Sequence, residues 1–169
     1  MEQQQQQQGL GGAGGPGAAG AEAGAGPGLD EGEFEALLMQ AARGETAEVL
    51  AAVDQDKRLA TRAGDYGNTL LHMASQGGHV ELAGGLLDRG ASHSAKDEDG
   101  WDALFFACLH DRLAVAALLL DRGADPNTIS DSWTALGYAA CYDYHDMCLL
   151  LLSRSADLMA PMSADGRTA

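Results

Sequence analysis

Cys141, His145 and Cys148 are soft metal-ligand types at close spacing. Zinc takes about four such ligands in a tetrahedral array. Cys141 is expected to end one helix and His145 to begin the next, with Cys148 three residues further along on the same face. No fourth ligand is evident, so the sequence is read as holding no metal and no cofactor: Cys148 belongs to a core, and Cys141 is a small surface or groove residue. A catalytic site would need a nucleophile, a base and an orienting group converging in a pocket. Ser, Cys, His and Asp occur here only at scattered positions. The Gly/Ala-rich N-terminal stretch lacks the Gly-Lys-Ser/Thr ending and the flanking strand of a phosphate loop. These residues point away from an enzyme in this segment.

Charge narrows the function classes. The formal net charge is -15 over 169 residues. Before Phe34 the chain carries Glu2, Glu22, Asp30, Glu31 and Glu33 and no Lys or Arg. Phosphate-backbone binding and docking on anionic lipid both need clustered cations, so neither nucleic acid nor membrane is expected as a partner. Acidity is compatible with basic partners, although it more commonly keeps a chain soluble. No stretch approaches the roughly 18 apolar residues of a membrane span, and the start has neither the basic nor the apolar region of a signal peptide. Cys108, Cys141 and Cys148 follow no extracellular disulfide framework, which places the chain in the reducing cytoplasm or nucleus. Gln3 to Gln8 is an unbroken glutamine run, and Gly9 to Gly28 is almost wholly Gly and Ala. Such a stretch buries nearly nothing and loses much entropy on ordering, so residues 1–29 are expected to be a disordered tail.

The elements that position the remaining residues follow from an internal period. The stretches starting at Gly67, Gly100 and Ser132 align so that Thr69, Asp102, Thr134 and Thr168 share one column, about 33 residues apart. Leu71, Leu104 and Leu136 share another, as do Gly90, Gly123 and Ser155, each followed by Ala. Each unit opens on a turn, then an N-cap candidate (Thr69, Asp102 or Thr134) whose oxygen can accept from free amides. A small-residue helix, a polar break and a leucine-rich second helix follow. Gly90 and Gly123 lie just past that helix, where a left-handed C-cap favours glycine.

This pattern resembles the ankyrin repeat, whose signature is a TPLH-type helix start, a GH break and a GADVN-like ending. Thr69, Leu71, His72, Gly78, His79 and Gly90-Ala91 carry the match in one unit, and Gly123-Ala124-Asp125-Pro126-Asn127 is the best ending. The resemblance implies an all-α solenoid of stacked helix-turn-helix units with projecting turns. It also implies structural hydrogen-bonding roles for His72 and His79. The units are expected at 30–64 (a degenerate N-terminal capping repeat), 65–97, 98–129 and 130–162, with the opening of a truncated further repeat at 163–169. That last stretch reads as an N-terminal piece of a longer protein or a truncated gene model. Phe105 and Gly137 replace the helix-start histidine, and Gly84-Gly85 interrupts a second helix; both weaken the array. In ankyrin proteins an asparagine at the ending loop can be hydroxylated, which makes Asn127 a candidate substrate; the alternative is a turn residue bonding nearby backbone.

By the same resemblance, the concave face is built from the turn tips and the exposed side of each first helix. Those columns hold Asp65, Tyr66, Asn68 and Gln76, then Glu98, Asp99, Trp101, Leu109 and His110, then Ser130, Asp131, Trp133, Cys141 and Tyr142. We take Tyr66, Asn68, Glu98, Asp99, Trp101, His110, Asp131, Trp133 and Tyr142 as the candidate partner-binding set. Both tryptophans fall at one column, and aromatics dominate interface hot spots. The competing reading is that Trp101 and Trp133 pack on adjacent turns and only rigidify the array. The expected function is a monomeric protein-interaction scaffold or adaptor whose partner presents a basic and apolar segment. The alternative is a regulatory or spacer arm of a larger enzyme.

Overall fold

The structure is a computed structural model that describes residues 29–130 and 133–156. The tail expected at 1–29, apart from Leu29, and the partial unit at 163–169 lie outside the described residues. Helix α1 (Glu31–Arg43) begins at an N-cap on Asp30. The Glu33 amide donates to Asp30 Oδ1 at 2.7 Å, and the Asp30 amide donates back to Glu33 Oε2 at 3.1 Å. Two free donors are thereby satisfied where the first apolar stripe starts. Helix α2 (Thr46–Gln55) follows the left-handed Gly44 and completes the first pair.

Three more pairs repeat this arrangement: α3 (Leu70–Gly77) with α4 (Val80–Asp88), α5 (Ala103–Leu109) with α6 (Leu113–Asp121), and α7 (Ala135–Cys141) with α8 (His145–Ser153). The first helices stack in the order α1, α3, α5, α7 and the second helices in the order α2, α4, α6, α8. Each pair contributes half of the apolar layer it shares with its neighbour. Leu38, Leu71, Leu104 and Leu136 lie along one row of that core, and Val53, Leu86, Leu119 and Leu151 along another.

The three expected N-caps all form. Thr69 accepts from the His72 amide, Asp102 Oδ1 from the Phe105 amide at 2.9 Å, and Thr134 Oγ1 from the Gly137 amide at 3.0 Å. Only His72 returns the bond: its Nδ1 accepts from the Thr69 amide at 3.0 Å, which leaves the proton on Nε2 to donate to the Ala95 carbonyl, in the turn that ends the same unit, at 3.0 Å. Phe105 and Gly137 keep the cap and lose this reciprocal contact. His79 bonds the Ala42 carbonyl of the preceding unit at 2.9 Å, and Arg112, one repeat later, bonds the Gln76 carbonyl at 2.9 Å.

On the second helices an ion-pair ladder links consecutive units: Arg89 to Asp54 at 2.7 Å, Arg122 to Asp88 at 2.8 Å, and Arg154 to Asp121 at 3.0 Å. Exposed pairs of this kind contribute at most about 1 kcal/mol each, so the ladder fixes register more than it holds the fold. Ser153 stands where Asp88 and Asp121 stood, so α8 offers no carboxylate for a further rung.

The projecting turns are tied by backbone bonds. Gly64 donates to the Asn68 carbonyl at 2.9 Å and Asp97 to the Trp101 carbonyl at 3.0 Å. In the last unit the turn becomes a two-stranded ribbon, β1 (Ile129–Ser130) against β2 (Trp133–Thr134). Neighbouring turns are joined by Glu98 N–H to the Tyr66 carbonyl at 3.0 Å and by the Ser130 hydroxyl to the Gly100 carbonyl at 2.9 Å.

The two ends of the stack differ. Helix α1 starts with Glu31, Glu33 and Glu35, whereas the far side of α7 and α8 is apolar. Leu149 is 66% exposed and Leu152 38%. Ala140 is exposed, whereas Ser75 and Cys108 at its column are fully buried by the following pair. A concavity of about 340 Å³ lined by Ala140, Asp143, His145, Cys148 and Leu149 lies on this side, which no helix among the described residues covers.

Gly84 and Gly85 both lie inside α4, but for different reasons. A Cβ on Gly85 would meet Leu50 of the preceding unit at 2.6 Å, so this glycine admits the neighbour's side chain; a Cβ on Gly84 would meet only Leu118, at an ordinary 3.7 Å. Gly84→Ala should therefore raise stability by up to about 1 kcal/mol in urea titrations, and Gly85→Ala should give less or none. Equal gains from both would contradict the close approach of Leu50.

Burial holds the pKa of His72 below its ordinary 6.5, with the bond to Ala95 opposing the shift. Because the unfolded chain then binds the proton first, the stability carried by neutral His72 is complete above about 6.5 and is lost as pH falls through that value toward the folded pKa. The melting temperature should fall between pH 7.5 and 5.5, and His72→Gln should flatten that slope; a slope identical in the variant would refute the assignment.

Candidate functional site

The turn and first-helix residues singled out from the sequence do not form one uniform surface. Tyr66 is 74% exposed at the tip of the first turn, in the left-handed region at φ 64°. Glu98 and Asp99 are exposed on the next turn; the Asp99 amide donates to Asp97 Oδ1 at 3.0 Å. Asn68 is half-buried. His110 is half-buried, and burial together with Arg112 lowers its pKa, so it stands neutral near pH 7. Asp131 lies outside the described residues. Ser130 is a correction: it is 1% exposed, its hydroxyl spent on the Gly100 carbonyl, so it offers nothing to a groove.

Trp101 and Trp133 are half-buried, and their column explains why. Each sits one residue before an N-cap (Asp102 or Thr134) and packs on the fourth helical residue: Trp101 on Phe106 with centroids 5.8 Å apart, Trp133 on Tyr138 at 6.5 Å. A residue before the cap packing on the fourth helical position fixes the angle at which the chain enters the helix. Trp101 also meets Phe105 at 5.4 Å. Among the described residues its buried Nε1 meets no hydrogen-bond partner, nor does Asn68 Oδ1 at the same column one repeat earlier.

From there the rings continue. Phe105 meets Tyr138 at 5.6 Å across the boundary between units, Tyr138 stacks on Tyr142 at 4.5 Å, and Tyr142 on Tyr144 at 6.1 Å. At the other end Phe106 packs on His72 at 5.2 Å. Seven of the chain's nine Phe, Tyr and Trp residues thus form one connected band across the α5 and α7 units. Gly137 occupies the column of His72 and Phe105 and brings no ring of its own to the band. Burial, followed by the bond to Tyr142, pushes the Tyr138 hydroxyl up to about 12, so it remains a neutral donor. Tyr138 and Tyr144 were not among the residues taken from the sequence. The Tyr138–Tyr142 spacing of four, which places two side chains on one helical face, was the available signal.

The remaining candidates are dispersed. Cys141 is exposed at the end of α7 and Cys148 half-buried against the core. Among the described residues no group of three or more His, Cys, Asp and Glu side chains is placed to hold a metal ion. Asn127 is half-buried in its loop: its amide donates to Asp125 Oδ1 at 2.9 Å and its Nδ2 to the Ser155 carbonyl at 3.4 Å. Among the described residues no helix is long and apolar enough to cross a membrane.

Comparison with known families agrees with this architecture. A profile for ankyrin repeats in three copies matches residues 86–162, and the single ankyrin-repeat profile matches residues 66–98. The chain belongs to the ankyrin-repeat family. Ankyrin repeats are generally protein–protein interaction modules and typically non-catalytic. The array is similar to a Caenorhabditis elegans ankyrin repeat and LEM domain-containing protein 1 homolog, 53% identical over 47 residues, covering 28% of this chain and 7% of that protein. It is 33% identical over 103 residues to the transient receptor potential cation channel subfamily A member 1 homolog of the same organism, covering 61% of this chain and 8% of the other. Human BCL-6 corepressor-like protein 1 is 34% identical over 93 residues, covering 54% of this chain and 5% of that protein. The matched part of the ankyrin chain therefore spans less than a tenth of the length of these relatives.

The ring contacts make a stability prediction. Trp101 packs on two phenylalanines and Trp133 on one tyrosine. Trp101→Ala should cost about 2 kcal/mol in urea unfolding and Trp133→Ala about half as much. The reverse order would show that entry-angle packing is not what holds these rings.

Proposed function

We propose that this ankyrin array is a protein-interaction module whose partner lies along the aromatic band and the neighbouring turn tips. The observation that carries the reading is the concentration of rings: Leu, Ala and Val make up most of the buried core, Phe105 and Phe106 are buried with it, and the band continues from them to the half-buried Trp101, Trp133 and Tyr138 and the exposed Tyr142. Tyr142 is 57% exposed within it, and Tyr66 extends the surface at a turn tip. Rings that are already packed on one side lose little freedom on binding, the condition under which interface aromatics act as anchors. Glu98 and Asp99 would form an acidic rim, and the excess negative charge would draw a partner with basic and apolar residues, mainly through association rate.

Tryptophan variants confound stability with binding, so the better probe is Tyr142. The wild-type chain is used to isolate a partner, which is then titrated against Tyr142→Ala and Asp99→Asn, with folding followed by circular dichroism. Tyr142→Ala should weaken binding by about tenfold or more, and Asp99→Asn should act on the association rate and its salt dependence. A partner whose affinity is unchanged by Tyr142→Ala and by Trp133→Ala in the folded variants rules out the band.

A second reading is supported by the small share of its relatives that this array spans: a regulatory or spacer arm within a larger protein. The cytoplasm or nucleus and a monomeric state go with either reading.

A further inference from the structure

We propose that the Tyr138–Tyr142–Tyr144 stack is an arginine platform: a guanidinium of the partner lies on the exposed Tyr142 ring and pairs with the Asp143 carboxylate. The inference rests on the reading of the aromatic band as the partner surface and adds the chemistry of the group that it takes.

Three observations converge on Tyr142 and Asp143. The three rings are nearly parallel, at interplanar angles of 28° and 26°, and Tyr142 keeps 57% of its surface open to solvent. The face of an aromatic ring carries partial negative charge and attracts a cation. Asp143 lies between Tyr142 and Tyr144 in the chain, at the turn joining α7 to α8, with its side chain 85% exposed. Its one ion-pair contact among the described residues is with His145 Nε2, at 3.3 Å. Four aspartates are committed: Asp54, Asp88 and Asp121 each hold an arginine of the next unit, and Asp102 caps α5. Asp143 and its counterpart Asp111 one repeat earlier hold no Lys or Arg among the described residues. Both occupy the left-handed conformation, at φ 62° and 52°, that Gly44 and Gly78 fill in the earlier units. The acid therefore stands where the fold itself favours glycine.

The choice of arginine over lysine follows from shape and hydration. A guanidinium is planar, stacks on a ring, offers paired N–H groups to a carboxylate and is weakly hydrated. An ammonium is strongly hydrated and gains less from a ring that is half open to water. Net charge alone would not separate them.

The test uses the full chain and three labelled, capped twelve-residue peptides in fluorescence anisotropy at 150 mM salt. The peptides are built from Gly, Ser and Leu and carry three arginines, three lysines or three citrullines, citrulline being the neutral isostere of arginine. The arginine peptide should bind about fivefold more tightly than the lysine peptide, and the citrulline peptide should not bind. Tyr142→Ala and Asp143→Asn should each weaken the arginine peptide about fivefold, whereas Tyr142→Phe, which keeps the ring face, should not. Equal affinity for arginine and lysine peptides, unaffected by Tyr142→Ala, would show attraction by net charge only and overturn the platform. So would an arginine peptide that does not bind. A natural partner that depends on the band yet ignores arginine-to-citrulline replacement overturns the platform and leaves the band standing; one indifferent to the band variants removes the band itself.

Discussion

A two-helix unit of this chain has apolar residues on both sides and can cover neither side alone. Leu71, Leu86, Leu104 and Leu119 become buried only because another pair stands against them. Every other feature depends on this mutual covering. It fixes the register in which Arg89 meets Asp54 and His79 reaches the Ala42 carbonyl. It explains Gly85, whose missing side chain admits Leu50. It also explains the exposed Ala140: its counterparts Ser75 and Cys108 are buried by a following pair, and among the described residues no helix follows α8.

The same stacking turns single aromatic residues into a surface. In one unit, Trp101 is a packing residue before a helix cap. Placed beside the next unit, its neighbour Phe105 touches Tyr138, and the rings run on to Tyr142 and Tyr144. Scaffold and recognition are therefore not exclusive for these tryptophans. The half of each ring that packs inward holds the turn, and the half left open belongs to the face on which we place a partner. Rigidity from the first role lowers the entropy lost in the second.

Much of the fold was legible because an ankyrin repeat writes its local rules into fixed columns. Thr69, Asp102 and Thr134 could be read as helix caps from side-chain chemistry alone, and Gly90 and Gly123 as left-handed stops, which they are at φ 92°. The pairing of helices followed from the period, and the structural role of His72 from the resemblance to the ankyrin repeat. The candidate site was less legible. The tryptophan column was visible, but not that Trp101 and Trp133 turn half their rings inward, nor that Ser130 is buried, nor that Tyr138 and Tyr144 extend the series.

Sequence by itself determined the repeat, its caps and turns, and which residues carry rings and charge, because these depend on contacts within a few positions along the chain. Tertiary structure decided which side of each ring faces water, why Gly85 is tolerated where Gly84 is merely permitted, and which aspartates are already paired. Those outcomes depend on distances between residues about 33 positions apart. The pairing of Asp54, Asp88 and Asp121 with the next unit, beside an Asp143 that holds no Lys or Arg, appears only when the units are stacked.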